Sequence, residues 1–463
     1  MPSSTQNDSL SRNSATGELI ERFPLQSEGE IEQLLTQSRA AFQNWRALSL
    51  AERADVYRRF ASTLRNRSDQ IAPVITAEMG KPLRDARGEI EKCAESAEWF
   101  AEHGPAFLAD EEVAVDGSDH AYVSYLPLGS ILGVMPWNFP LWQAIRACVP
   151  VMLAGNGFIL KPAPNTMRSA YMMSDAWEAA GLPKGLLSIL NTDNEGIARI
   201  IADRRVVGAS VTGSTRAGSA VAAQAGKFIK PSLLELGGAD PFIVLADADI
   251  DKAVNAGILA RYNNSGQICI NAKRFILEAP IAEEYTTKFV SAARALKVGD
   301  PFDAATDLGP IARGDLRDTI HDQVTRTLAS GATLLAGGHV MDGPGFFYET
   351  TVLGNVEPGM AAFDEEIFGP VAALTRARDF EHAIELANRS DYGLSGNLWT
   401  SDLARAQTIA RRLETGGVFV NGYSASNARV PVGGVKNSGY GRELSHFGVR
   451  EFTNAQTVWI KKV

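Results

Sequence analysis

Apolar residues divide the chain before any motif does. Ile31, Leu34, Leu35, Phe42 and Trp45 recur at the spacing of one helix face. Ser49 with Glu52 three residues on is a capping-box signature opening the next helix, and residues 30–104 read as helices. Around residues 120–126 the pattern becomes Tyr122, Val123 and Tyr125 behind turn residues, which predicts a strand or hairpin. Short β-rich runs follow at 130–136, 157–162, 186–190, 206–212, 232–236 and 241–245, with helical patterns such as 168–180 and 216–225 between several of them. Strand and helix in alternation predict βαβ units and a largely parallel sheet. The alternation resumes from Arg274-Phe275-Ile276-Leu277 through helix-like 281–296 to about residue 440, which predicts a second α/β domain. The tail, Gln456-Thr457-Val458-Trp459-Ile460-Lys461-Lys462, has a strand-like apolar core.

Composition narrows the class. A chain of 463 residues is long for one core and implies two or three domains. The net charge of -9 disfavours nucleic acid or an anionic membrane as the main partner. Cys93, Cys148 and Cys269 are the only cysteines, with no CxxC pair, so neither a disulfide framework nor a thiolate zinc site is expected. The histidines show no HxH or HExxH spacing, and no metal is expected. Met1 to Asn13 is polar and lacks a secretion-signal pattern. The most apolar region, Ala121 to Trp142, is broken by Pro127, Pro136 and Pro140. The expectation is a cytoplasmic protein with no membrane partner.

Candidate chemistry concentrates between Glu235 and Cys269. Leu234-Glu235-Leu236-Gly237-Gly238 sets a carboxylate beside paired glycines, and Gly266-Gln267-Ile268-Cys269 ends in a thiol. Together they would supply a nucleophile and a base. Taken alone, a cysteine between two isoleucines is more often a small buried hydrophobe. Neither GxGxxG nor GxxxxGK[ST] is present. Val211-Thr212-Gly213-Ser214-Thr215-Arg216-Ala217-Gly218, between a β run and a helical pattern, suits a phosphate at a helix N-terminus, or a plain helix cap. In Met135-Pro136-Trp137-Asn138-Phe139-Pro140, an Asn held between prolines and aromatics suits an oxyanion donor, or a turn packing its aromatics into the core.

These pieces resemble the aldehyde dehydrogenase superfamily over nearly the whole chain. In the family's order they are Glu78-Met79-Gly80-Lys81-Pro82, Pro136 to Pro140, Leu160-Lys161-Pro162, Gly181-Leu182-Pro183, Gly213 to Gly218 and Glu235 to Gly238. Gly266 to Cys269, Glu365-Glu366-Ile367-Phe368-Gly369-Pro370 and Gly434-Val435-Lys436-Asn437-Ser438-Gly439-Tyr440-Gly441-Arg442-Glu443 complete the series. The resemblance implies an α/β fold with two parallel-sheet domains and a β oligomerisation extension. It puts a Rossmann-like cofactor domain at 1–107 and 129–236, a catalytic domain at 237–443, and the extension at 108–128 and 444–463. It further implies Cys269 as nucleophile, Asn138 and the Cys269 N–H as oxyanion donors, Glu235 as the base that hydrolyses a thioester, and Glu443 as a proton acceptor behind it. For NAD or NADP it puts Lys161 on the adenosine ribose and Gly213 and Ser214 near the pyrophosphate, with Pro136, Trp137, Gly218 and Leu236 also at the cofactor. Glu366 and Phe368 fall at the nicotinamide ribose and ring. Many NAD-preferring relatives carry Glu three residues after this Lys; here Pro164 stands there, which removes repulsion against a 2′-phosphate.

Asn138 to Arg146, Gly422-Tyr423-Ser424-Ala425-Ser426 and Gly434 to Lys436 look most like the succinate-semialdehyde dehydrogenases. That reading makes Arg146 the partner of a distal substrate carboxylate, a task for which Arg suits better than Lys. Another Arg, six residues before the cysteine in some of these enzymes, is here Asn263, with Ser426 or Arg429 as substitutes. Ile270 and Asn271 rule out an adjacent-disulfide switch. Alternatives are another small aldehyde, such as glutarate semialdehyde or an aliphatic one, and a non-catalytic binding protein of this fold. A thiol hydrolase or acyltransferase would need a histidine that no motif offers. A tail left as an open edge suggests sheet addition to a partner's hairpin, and thus a homodimer or homotetramer.

Overall fold

The computed structural model describes residues 8–117 and 119–462. Helices Glu28–Arg46, Leu50–Asn66, Ser68–Met79 and Leu83–His103 fill the stretch of helical periodicity. The first two start on capping boxes, Ser27 with Glu30 and Ser49 with Glu52, in which hydroxyl and carboxylate satisfy each other's backbone N–H. Their apolar stripes, including Trp45, Tyr57, Phe60, Ile90 and Phe100, pack with the Trp142–Leu153 helix into one core.

A first sheet carries five parallel strands in the spatial order Leu187–Ile189, Gly157–Lys161, Ser130–Val134, Val206–Thr212, Ser232–Glu235. Covered on both faces, these strands are near-continuous apolar runs rather than alternating ones. The strand order reverses between Ser130–Val134 and Val206–Thr212, where such sheets leave a crevice at their C-terminal ends. Two loops lead out of that point, Met135 to Asn138 and Gly213 to Ser214. Gly439–Tyr440 adds antiparallel to Ser232–Glu235, so a piece of the stretch expected in the catalytic domain completes the edge of this sheet.

The second sheet runs Thr333–Ala336, Thr351–Gly354, Val371–Ala377, Ala272–Glu278, Asp240–Val244, Ser395–Trp399, Gly417–Val420, and all its pairings are parallel except the first. Residues 236–239 join the last parallel strand of the first sheet to Asp240–Val244. The Cys269 loop enters Ala272–Glu278, the neighbouring strand, so glutamate and cysteine blocks meet at the junction of the two sheets.

The tail, expected to add to a partner's hairpin, pairs with the hairpin of its own chain. Thr453–Ile460 pairs along its whole length with His120–Pro127 of its own chain, from Thr453 opposite Pro127 to Ile460 opposite His120, and Glu111–Val113 flanks the other side. Asn156 fixes the start of the tail by donating to the Phe452 carbonyl at 3.0 Å. A strand tethered this close finds its own hairpin first. Its outer edge stays open, with Trp459 and Ile460 about half exposed. No helix among the described residues is long and apolar enough to cross a membrane.

Candidate active site

The Cys269 loop is held in an uncommon backbone state. Asn264, Ser265 and Gly266 have successive φ of 54°, 55° and 76°. Two of them are not glycine, so the surroundings must impose the turn. Asn264 donates to the Asn138 carbonyl at 3.0 Å, Ser265 to the Gly309 carbonyl at 2.8 Å, and Ala312 N–H donates to the Gln267 side chain at 3.0 Å. Buried Arg261 donates to the carbonyls of Gly266, Gly369 and Ala272. A Cβ on Gly266 would lie 2.2 Å from the Gly369 carbonyl oxygen, so two separate sequence motifs are in backbone contact here. Cys269 itself is partly exposed, and its N–H has no partner among the described residues. Burial pushes its thiol up to about 11, opposed by the positive charges of Arg146 and Lys273.

Asn138 reaches this loop directly. Its side-chain amide donates to the Gln267 carbonyl at 2.9 Å and accepts from Gln143 at 3.3 Å, which fixes the amide and leaves a second N–H uncommitted. Glu89 explains how the Asn138 turn is held. It accepts from the N–H groups of Leu141 and Trp142, both at 2.9 Å, at the start of the Trp142–Leu153 helix, and pairs with buried Lys81 at 2.5 Å. The Lys81 ammonium lies 3.7 Å from the centroid of the Phe139 ring. The Lys81 block therefore fastens the turn that carries Asn138.

Arg146 is the main departure from the sequence reading. It projects from the same helix into the protein interior, pairs with Glu443, and lies 3.9 Å from Glu235. It is 2 % exposed, so it presents no free guanidinium to a substrate; nor does it lie on a helix surface. One cation between two buried carboxylates leaves a surplus negative charge. Burial raises both carboxyl groups, Arg146 opposes this, and the charge of Glu443 raises Glu235 further. Neither oxygen of Glu235 accepts a hydrogen bond among the described residues. A carboxylate with raised proton affinity and vacant lone pairs is suited to draw a proton from a thiol or a water.

The residues expected at a dinucleotide gather around the crevice of the first sheet. Ser214 caps the Thr215–Lys227 helix, accepting from the Ala217 N–H at 3.3 Å, and a Cβ on Gly213 would meet nothing within 4 Å, so the helix N-terminus is approachable. A Cβ on Gly218 would lie 2.5 Å from Leu236, so that glycine seats the helix against the strand. Lys161, at the end of Gly157–Lys161, has no acidic partner among the described residues, and burial pushes it down to about 8. Pro164 is exposed and opens a short turn. A cation, a capped helix start and no carboxylate at 164 fit a dinucleotide, with or without a 2′-phosphate. Pro136 follows the strand Ser130–Val134, and Trp137 lies edge-to-face on Phe368, centroids 5.7 Å apart. Glu366 accepts from the Gly238 N–H at 3.0 Å and lies 3.6 Å from Lys273, which in turn donates to the Cys269 carbonyl.

Ser426 and Arg429 line a cavity of about 780 Å³ between the Leu83–His103 helix and the 426–429 loop. Arg429 is exposed and, among the described residues, bonds only Asn427 of its own loop. Ser426 is more deeply set, accepting from Lys92 at 2.9 Å and from the Trp142 indole at 3.0 Å. Lys92, Arg261 and Gln267 were not singled out as site residues in the sequence. The one available signal was Gln267 within the motif before Cys269.

The sequence profile of the aldehyde dehydrogenase family matches residues 2–458. The chain is 53% identical over 454 residues to the succinate semialdehyde dehydrogenase [NAD(P)+] of Escherichia coli K12, covering 98% of each. It is 46% identical over 451 residues to the succinate-semialdehyde dehydrogenase [NADP(+)] of Mycobacterium avium, covering 97% of this chain and 96% of the relative. The succinic semialdehyde dehydrogenase of Streptococcus pyogenes, solved in complex with NADP+, superposes with a TM-score of 0.96 at 34% identity, over 98% of this chain and 100% of the other. With profile, sequence and fold matching from end to end, the chain belongs to the aldehyde dehydrogenase family.

Proposed function

We propose that this enzyme oxidises succinate semialdehyde to succinate with NAD(P)+. The substrate reading rests on the relatives named above. The observation that carries the acid-forming chemistry is Glu235, a buried carboxylate without a hydrogen-bond partner among the described residues, at the junction of the two sheets where the Cys269 loop also arrives. Cys269 adds to the aldehyde carbon as its proton passes to Glu235, forming the C–S bond and an oxyanion. The uncommitted N–H of Asn138 and the Cys269 N–H hold that oxygen. Lys161, Gly213, Ser214 and Glu366 would hold NAD(P)+, which would accept the hydride that leaves the former aldehyde carbon as the C=O re-forms. The acyl group then remains on sulfur as a thioester. Glu235 passes on its proton, for which we assign Glu443 as acceptor, and draws another from the attacking water. The C–S bond breaks, the carboxylic acid leaves, and the thiolate returns.

We take the working form to be a cytoplasmic homodimer or homotetramer. Cys93, Cys148 and Cys269 are all unpaired thiols, which suits a reducing compartment, and the open Thr453–Ile460 edge offers an association surface. The test of the chemistry is Glu235→Gln under single-turnover conditions. With substrate then raised to excess, we expect a stoichiometric burst of NAD(P)H, itself slowed because Glu235 also takes the thiol proton, followed by a steady state slower by about 10²–10⁴-fold, the usual scale for a lost general base. A steady state equal to wild type removes Glu235 from thioester hydrolysis.

A further inference from the structure

We propose that Lys273 is a positioning residue for the nucleophile: its ammonium anchors the backbone of the Cys269 loop and ties that loop to Glu366. The inference rests on the reading of Cys269 as nucleophile and on no particular aldehyde. Lys273 lies at the start of the Ala272–Glu278 strand but has no place in either ladder beside it. Asp240 pairs with Ala272 and Pro241 with Arg274, so the register skips Lys273, and pairing with Val371–Ala377 begins only at Arg274. An irregularity of this kind re-aims a side chain. Lys273 turns back along its own chain, where it donates to the Ile268 carbonyl at 3.2 Å and to the Cys269 carbonyl. It is 2 % exposed, and it lies 3.6 Å from Glu366.

Three separate motifs meet at this ammonium. A Cβ on Gly238 would lie 3.1 Å from the Cys269 carbonyl oxygen and 2.7 Å from the Asp240 carboxylate, and a Cβ on Gly237 would lie 2.3 Å from the Glu366 carboxylate. The paired glycines after Glu235 therefore leave the room in which the Cys269 carbonyl, Asp240 and Glu366 come together around Lys273. A carbonyl held by a buried cation fixes the Cys269 peptide, and with it the direction of the thiol and of the N–H. The charge acts on the thiol as well. Arg146 and Lys273 favour the thiolate, whereas Glu235 and Glu366 oppose it. Arg146 is engaged by Glu443 and lies 3.9 Å from Glu235. Lys273 faces Glu366 and buried Asp240, which accepts from Ser395. Glu366 competes with the Cys269 loop for one ammonium, so what Glu366 binds is felt at the loop through a single side chain.

The experiment follows iodoacetamide alkylation of Cys269 against pH in the full chain without substrate, read on the Cys269 peptide by mass spectrometry. It compares wild type, Lys273→Met, Lys273→Arg, Glu366→Gln and the double variant of Lys273→Met with Glu366→Gln. Loss of a neighbouring cation disfavours the thiolate, so we expect Lys273→Met to move the profile upward by on the order of one pH unit. Lys273→Arg should stay close to wild type, and Glu366→Gln should move the profile downward. The Glu366→Gln shift should shrink in the Lys273→Met background, because the two groups act through one contact. An unchanged profile in Lys273→Met, or an equal shift in Lys273→Arg, overturns the positioning role, and additive shifts in the double variant remove the tie to Glu366. Full dehydrogenase activity in Cys269→Ser would instead overturn the nucleophile reading, and the positioning role with it. Should Lys273→Met give no folded protein, Lys273→Gln, neutral but still a donor, is read by the same profile.

Discussion

Arg146 shows how a single side chain changes meaning once its neighbours are known. Two buried carboxylates face it, and removing the cation would leave both charges without compensation. Loss of one member of such a cluster costs about 3–5 kcal/mol. We therefore expect Arg146→Met to lower the apparent melting temperature markedly and to depress turnover of butanal and semialdehyde alike. A selective rise in KM for the semialdehyde, at unchanged stability, would return Arg146 to the substrate. Sequence could not choose between these roles, because Glu235 and Glu443 are distant in the chain and converge only in the fold. Lys92 was hidden for a related reason. With Glu89 three residues before it and Glu95 three after, it reads as an ordinary helix-surface ion pair. Only the fold reveals that Glu89 turns inward to Lys81 and to the start of another helix.

At the scale of elements, most of the architecture was readable. Parallel strands buried on both faces leave uninterrupted apolar runs, and capping boxes mark where helices begin, so both leave local signals. Loop conformation leaves weaker ones. Gly266 stands between Ser265 and Gln267 and reads as an ordinary turn glycine in sequence, yet it has φ of 76° and its missing Cβ makes room for Gly369. Gly266→Ala would incur roughly 1–2 kcal/mol for the left-handed backbone, before any clash. We expect a lower melting temperature and a larger loss of kcat than of cofactor affinity, since the displaced loop carries Cys269 and not Lys161. Dehydrogenase activity near wild type in a Gly266→Ala protein would show that the turn is not needed to present the thiol. The tail is the opposite case. Its strand character was plain from Val458, Trp459 and Ile460, but no local pattern tells a strand which hairpin it joins.

Across the whole molecule, the three-stranded sheet made by Glu111–Val113, His120–Pro127 and Thr453–Ile460 ends in an unprotected edge bearing Trp459 and Ile460. Monomers seldom leave such an edge open. We expect Trp459→Glu to shift sedimentation toward the monomer, and an unchanged assembly would place the association surface elsewhere.

The pairing of Gly439–Tyr440 with Ser232–Glu235 has a consequence for how the chain is made. The first sheet gains its last strand only after roughly 200 further residues have left the ribosome, which at about 5–20 residues per second takes on the order of 10–40 s. For that interval the nascent sheet presents a bare row of backbone donors and acceptors ending at Glu235. The segment that carries Glu235, the base we propose, is therefore left as an open edge on the nascent chain during that time.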